Sequence, residues 1–215
     1  MSFLNQLKSQ AGALQSEQRA RQVHSDANTR ATEAASQTVW LYVTQLAKHL
    51  NVIGPAGPAL SLDGKTPWPA MKLVDFRVDA RKKKLRDQEV YDYIAMVWRV
   101  VPRQGGPVSG SVSANFPPDL ERIEARLTAG NVQHERVNVR HPEKNTLQAI
   151  RFDYLTEARG GVTITADHDA AKIAFRLASA QGFAVVNTRY GADQIQSPLL
   201  DELAKLIVGQ PSIFV

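Results

Sequence analysis

An α+β fold is predicted: an antiparallel β meander of about seven or eight strands, covered by two short helices and preceded by a long N-terminal helical segment. Three observations predict it. Residues 3–52 contain no proline and a single glycine, Gly12. Residues 54–70 (GPAGPALSLDGKTPWPA) are dense in Gly and Pro. Beyond them the hydrophobic period falls from three or four to two.

The first segment is rich in Gln, Ser, Ala, Glu and Arg, all compatible with helix. In its second half Ala35, Val39, Tyr42/Val43, Leu46 and Leu50 recur at three- and four-residue steps, the mark of a packed helix face. A thinner stripe, Leu4, Leu7, Ala11 and Leu14, runs along the first half. Between them Gln15–Thr38 is almost wholly polar or alanine, and Ser25-Asp26-Ala27-Asn28 offers a fresh N-cap. One long helix and a helical hairpin are both compatible with this. Gly54-Pro55 ends the segment. The organisation is therefore read as a helical segment over 1–53, a connecting loop over 54–70 and an antiparallel α+β domain over 71–215.

Val74, Phe76, Val78 and Ala80 alternate with Asp75, Arg77 and Asp79, predicting a strand with one wet face, followed by the basic run Arg81–Arg86 as a hairpin tip. Glu89–Val101 is apolar on both faces, which predicts a central strand or one covered on both sides. Val108, Val112, Ala114 and Phe116 mark a third strand, and Pro117-Pro118-Asp119 opens a short helix with Leu120, Ile123 and Leu127 inward. Further strands are expected near 133–140, 148–155, 161–166, 172–178 and 183–190. Ser197 is read as the cap of a last helix (Leu199, Leu200, Leu203, Leu206, Ile207), and the tail Pro211–Val215 as an added strand. Gly105-Gly106 and Gly160-Gly161 read as hairpin glycines. Residues 93–130 and 172–209 share the order strand, turn, strand, loop, helix, glycine, a weak hint of duplication.

The chain of 215 residues is long enough for a full core, and its 43% hydrophobic and 22% charged content is that of a globular protein. It has no cysteine. That removes thiolate chemistry and disulfides and fits a reducing compartment, so a cytoplasmic location is expected. The apolar run around Ile94–Trp98 is far shorter than the roughly 20 residues of a membrane span, and no signal peptide is visible.

The formal charge of +5 is concentrated: residues 65–104 hold ten Lys or Arg against five Asp or Glu. Arg81, Lys82, Lys83, Lys84 and Arg86 would suit phosphate contacts, with Tyr91 and Tyr93 on one face nearby for base stacking. A solvated, anti-aggregating hairpin explains the same residues without a ligand, and nucleic-acid binding is not the favoured reading. Asp167-His168-Asp169 has metal or acid–base chemistry in principle but falls where a turn is expected. His134 and His141 fall on opposite strand faces, and His24 and His49 lack a ligand partner. Serine-hydrolase elbows and glycine-rich phosphate loops are missing, so no catalytic, cofactor or metal residue is assigned.

The function expected is that of a non-enzymatic binding or assembly module. It would oligomerise or dock a protein partner through its N-terminal helix, using Leu4, Leu7, Ala11 and Leu14. Nucleic-acid binding through the basic hairpin 81–86 is one alternative. A small-ligand protein or enzyme with a pocket between sheet and helix is the other.

Overall fold

The computed structural model describes residues 3–215, apart from the side chain of Leu4. One helix, α1, runs without a break from Phe3–Ile53. The polar stretch at Ser25–Asn28 does not start a second helix: the backbone stays helical through it, and the Thr29 hydroxyl bonds back to the Ser25 carbonyl (2.9 Å). At about 1.5 Å per residue α1 is roughly 76 Å long.

Eight antiparallel strands follow: β1 (Met71–Leu85), β2 (Gln88–Pro102), β3 (Ser109–Ala114), β4 (His134–Arg140), β5 (Leu147–Leu155), β6 (Ala158–Asp167), β7 (Lys172–Ala178) and β8 (Val185–Gly191). Helix α2 (Pro117–Ala129) lies between β3 and β4, and α3 (Ser197–Ile207) follows β8. The fold is α+β, and its strands divide into two sheets ordered β1-β2-β6-β7-β8 and β3-β5-β4. The chain crosses to the small sheet between β2 and β3 and returns at Thr156-Glu157, the short link from β5 to β6.

Several local expectations need correction. The basic run is mostly strand: Arg81–Leu85 belong to β1, and only Arg86 and Asp87 form the turn, both at positive φ (49° and 64°) as a two-residue hairpin loop requires. β2 is interior to its sheet, yet its outer face is open, with Val97 49% exposed. Gly160-Gly161 lie inside β6 opposite Trp98 and Val97, where Gly160 makes room for the Trp98 indole. Of the third strand's presumed face, Val112 and Ala114 are buried while Val108 and Phe116 are exposed. Helix α3 is preceded by Gln196 as its cap, with no side-chain capping bond from Ser197. The C-terminal tail docks through Phe214 without pairing as a strand. β7 and β8 pair whereas β2 and β3 lie in different sheets, so the two similar-looking segments adopt different arrangements.

The core lies between one face of the five-stranded sheet and the helices. Val39, Val43 and Leu50 of α1 meet Ile94, Met96, Val162, Ile164 and Phe175 of the sheet and Leu200, Leu203 and Leu206 of α3. Trp68, from the connecting loop, stacks on Tyr154 (5.5 Å) and meets Phe183 edge-on (5.4 Å), tying the small sheet to the β7–β8 turn. At the end of α1, Asn51 bonds both the N–H (2.8 Å) and the C=O (2.9 Å) of Phe76, filling a bulge made by Asp75 at φ 57°. Val74 is turned outward by that bulge, away from the side shared by Phe76 and Val78.

Candidate functional site

Through residues 3–24 every described side chain of α1 is exposed, including Phe3 (73%) and Leu14 (59%). The helix here is sustained locally, by Ala and Gln propensity, by the Glu17–Arg21 pair (2.6 Å) and by Gln22 on Asp26 (3.0 Å). Leu7, Ala11 and Leu14 are exposed on this arm; the Leu4 side chain lies outside those described. Ala11 and Leu14 stand three heptads before Thr32 and Ala35. At about 20° of drift per heptad, the exposed stripe lies within about 60° of the stripe that packs on the sheet.

The root of the arm is held by polar contacts. Thr29, Thr32 and Ser36 are buried despite their polarity. Thr32 Oγ1 lies 2.6 Å from His168 Nδ1, and His168 Nε2 lies 3.0 Å from the Tyr91 carbonyl. A carbonyl only accepts, so Nε2 carries a proton and donates. Asn28 donates to the Asp169 carbonyl (2.6 Å), and Arg86 bridges Thr29 (3.1 Å) and the Asp169 carboxylate. Tyr91 N–H donates to Glu33 (2.8 Å) and its hydroxyl to Gln37 (2.9 Å). Burial, and then the Glu33 carboxylate, push the Tyr91 phenol up from its ordinary value. The β6–β7 turn, the β1–β2 hairpin and the middle of α1 are thereby joined in one network.

This network decides what the sequence-predicted residues do. Both ring nitrogens of His168 are engaged, Asp167 caps the Ala170 N–H (3.1 Å), and Asp169 binds Arg86, so the Asp-His-Asp trio closes a turn. In the basic run, Lys83 pairs with Asp92 (2.9 Å), Arg81 approaches the same carboxylate (3.9 Å), Lys84 pairs with Asp87 (3.0 Å), and Lys82 lies over the Tyr91 ring (5.0 Å). The hydrogen bond from Lys83 holds Asp92 below its ordinary value, against the opposing effect of burial, with Lys83 and Arg81 charges assisting. Tyr91 is buried against α1 while Tyr93 stays half-buried, because a bulge between Arg81 and Lys82 breaks their alternation.

His134 accompanies the Val132 carbonyl (2.8 Å), and His141 Nδ1 accepts from the amides of Glu143 (3.2 Å) and Lys144 (3.3 Å) in the β4–β5 turn. Among the described residues no group of three His, Asp or Glu is placed to hold a metal ion, and no helix is long and apolar enough to cross a membrane.

The space between sheet and helices is filled by side chains. A depression of about 620 Å³ lies between α1 and α3, lined by Tyr42, Leu46, Leu50, Ile53, Ala204 and Val208 among others. Tyr42 donates to Asp201 (2.6 Å) across this groove; burial first, then that carboxylate, raise its phenol well above the ordinary range. Tyr42 and Leu46, part of the apolar stripe read from the sequence, pack against the core and stand half-buried along the groove. No family model matches this chain, and no curated protein or solved structure does either.

Proposed function

We propose that the chain is an assembly module whose free helical arm joins it to a second copy of itself. The observation that carries this reading is the arm: a continuous helix whose described side chains over residues 3–24 are all exposed, with Phe3, Leu7, Ala11 and Leu14 on one side. Most helical stability in proteins comes from packing an amphipathic face, so an apolar stripe that packs on nothing in its own chain points to a partner surface.

The groove between α1 and α3 suits such a helix. Tyr42, Leu46, Leu50 and Ile53 on its wall repeat the four-four-three spacing of Phe3, Leu7, Ala11 and Leu14, so wall and arm are matched in length. A helix laid there packs its stripe against α1 and against Ala204 and Val208 of α3, the helix-in-groove mode. The arm carries Lys8, Arg19 and Arg21 against Glu17, and the groove is lined by Asp201 and by Lys205, which pairs with Glu202. Arm and groove are different surfaces of one chain, so copies join head to tail or by reciprocal exchange of arms.

Light scattering tests the reading. The full chain is expected to run as a multimer. Deletion of residues 1–24, Leu14→Asp on the arm, or Ile53→Asp in the groove should each give a monomer with the parent's melting temperature. A full chain that is monomeric at every concentration, or a groove variant that assembles as the parent does, would sink it.

A further inference from the structure

Among the described residues no helix covers the outer face of the five-stranded sheet, and the strand registers place its outward residues in three rows. The first is Arg81, Tyr93, Thr165, Ala174 and Arg189; the second Asp79, Ala95, Thr163, Arg176 and Asn187; the third Arg77, Val97, Gly161, Ala178 and Val185. Arg99 and Arg159 pair beyond the third row. Arg77, Arg159, Arg176 and Arg189 are exposed, and none takes part in an ion pair among the described residues; Arg99 is held by Asp75 and Glu157 (both 2.8 Å). A depression of about 450 Å³ sits between Thr163, Thr165, Arg176, Asn187 and Arg189.

We infer that this face binds single-stranded nucleic acid. It is a surface distinct from the tip of the β1–β2 hairpin, whose cations are engaged by Asp92, Asp87, Asp169 and Tyr91. Four free guanidiniums frame the face, and a guanidinium meets phosphate oxygens in pairs and stacks on bases. Between them the floor is built of Ala95, Gly161, Ala174 and Ala178, so a flat ligand reaches the sheet. Tyr93 and Val97 supply aromatic and apolar surface in its middle, half-buried and exposed, which a base covers on stacking. Thr163, Thr165 and Asn187 offer hydrogen bonds to base edges or sugar. The first row ends in Arg81 and Arg189 at the two sheet edges, about 19 Å apart at about 4.8 Å per strand. Among the described residues no helix or hairpin stands on this face to enter a duplex groove, and an acidic peptide would leave the Tyr93–Val97 surface unused.

Fluorescence anisotropy with a short labelled oligothymidylate and its oligouridylate counterpart tests the inference on the full chain. Binding should weaken with salt at a log–log slope of about −3, from four phosphates at roughly 0.7 each. The Arg176→Ala/Arg189→Ala variant should bind at least tenfold more weakly and lose about half that slope. Tyr93→Ala should lose roughly tenfold with the slope unchanged, the signature of a lost stack. These positions are outward-facing, and an unchanged melting temperature verifies the fold of each variant. No shift at low salt, equal affinity for duplex and single strand, or unaltered binding by the double-arginine variant overturns the inference. So does an unaltered Tyr93→Ala variant, which would mark a polyanion surface without base recognition.

Discussion

The Thr32 hydroxyl lies 2.6 Å from His168 Nδ1, joining the midpoint of α1 to the β6–β7 turn through two buried polar side chains 136 residues apart in sequence. With Nε2 donating to the Tyr91 carbonyl, Nδ1 of a neutral ring takes its proton from Thr32. Replacing Thr32 by Val keeps the volume and strands Nδ1 in an apolar setting. The expected loss is about 1–3 kcal/mol in urea unfolding, the cost of an unsatisfied buried acceptor. Hydrogen exchange should show the same variant loosening residues 25–36 of α1 first, since Thr29 and Asn28 hold the remaining contacts.

Gly160 is the second position at which one side chain decides the packing. A Cβ there would overlap the Trp98 indole, which is 1% exposed and paired across the sheet from Gly160. Gly160→Ala forces the indole or the β6 backbone aside and should cost about 1–3 kcal/mol, a typical overpacking penalty. Gly161→Ala is the control: its Cβ would meet only the Met96 carbonyl and Val97 at 3.2 and 3.3 Å, on the open face. A smaller loss is expected for it in the same thermal melts.

The contrast between these glycines also shows what was legible beforehand. A Gly-Gly pair between two strands reads as a turn, and only the register with Trp98 reveals that it lies within β6. Periodicity was enough for the helix face Ala35–Leu50 and for the existence of most strands, because each rests on side chains a few residues apart. It failed where a single residue shifts phase: Asp75 at φ 57° turns Val74 outward, and the bulge near Arg81 separates Tyr91 from Tyr93. The division into two sheets depends on long-range pairing that no local pattern encodes. The arm stripe at Leu7, Ala11 and Leu14 was visible as a pattern. The network at its root was not, because Thr29, Thr32 and His168 look like ordinary surface residues until three elements meet. The arginine lattice was missed for a related reason: Arg77, Arg159, Arg176 and Arg189 are scattered in sequence and share a face only through register.

Asp63 makes acid sensitivity of the connecting loop predictable. Burial opposes its ionisation, yet the amides of Thr66 and Lys65 (2.7 and 2.8 Å) and the hydroxyls of Thr66 and Ser61 (2.9 and 3.0 Å) hold its carboxyl well below the usual range. A carboxylate whose pKa is depressed by folding contributes stability above its unfolded value, about 4, and loses it as pH falls toward the folded value. Asp63→Asn should therefore cost about 1 kcal/mol at neutral pH, the low end for a charged hydrogen-bonding group in a solvent-screened loop. Urea titrations repeated at successively lower pH should show the parent converging on the variant below about pH 4.

Phe214 is the last anchor of the sheet. It is fully buried, meeting Phe175 edge-on at 5.2 Å and Tyr190 at 5.4 Å, and its carbonyl accepts the Tyr190 hydroxyl. Two further bonds direct it inward: Ser212 Oγ donates to the Glu202 carbonyl (2.7 Å), and the Ile213 N–H donates to the Glu202 carboxylate (2.9 Å). Helix α3 thus presents the tail, and the tail covers β7 and β8, the edge of the five-stranded sheet. Phe214→Ala leaves a cavity against two aromatic rings and should cost about 3–5 kcal/mol. Phe214→Leu refills most of the volume, loses the edge-on aromatic contacts and should recover more than half of the loss in the same urea titration. If the alanine variant unfolded at the parent's urea midpoint, the tail would contribute no stability to the sheet edge. A loss confined to hydrogen exchange in β8 would instead mark the tail as a local clasp whose opening is uncoupled from global unfolding.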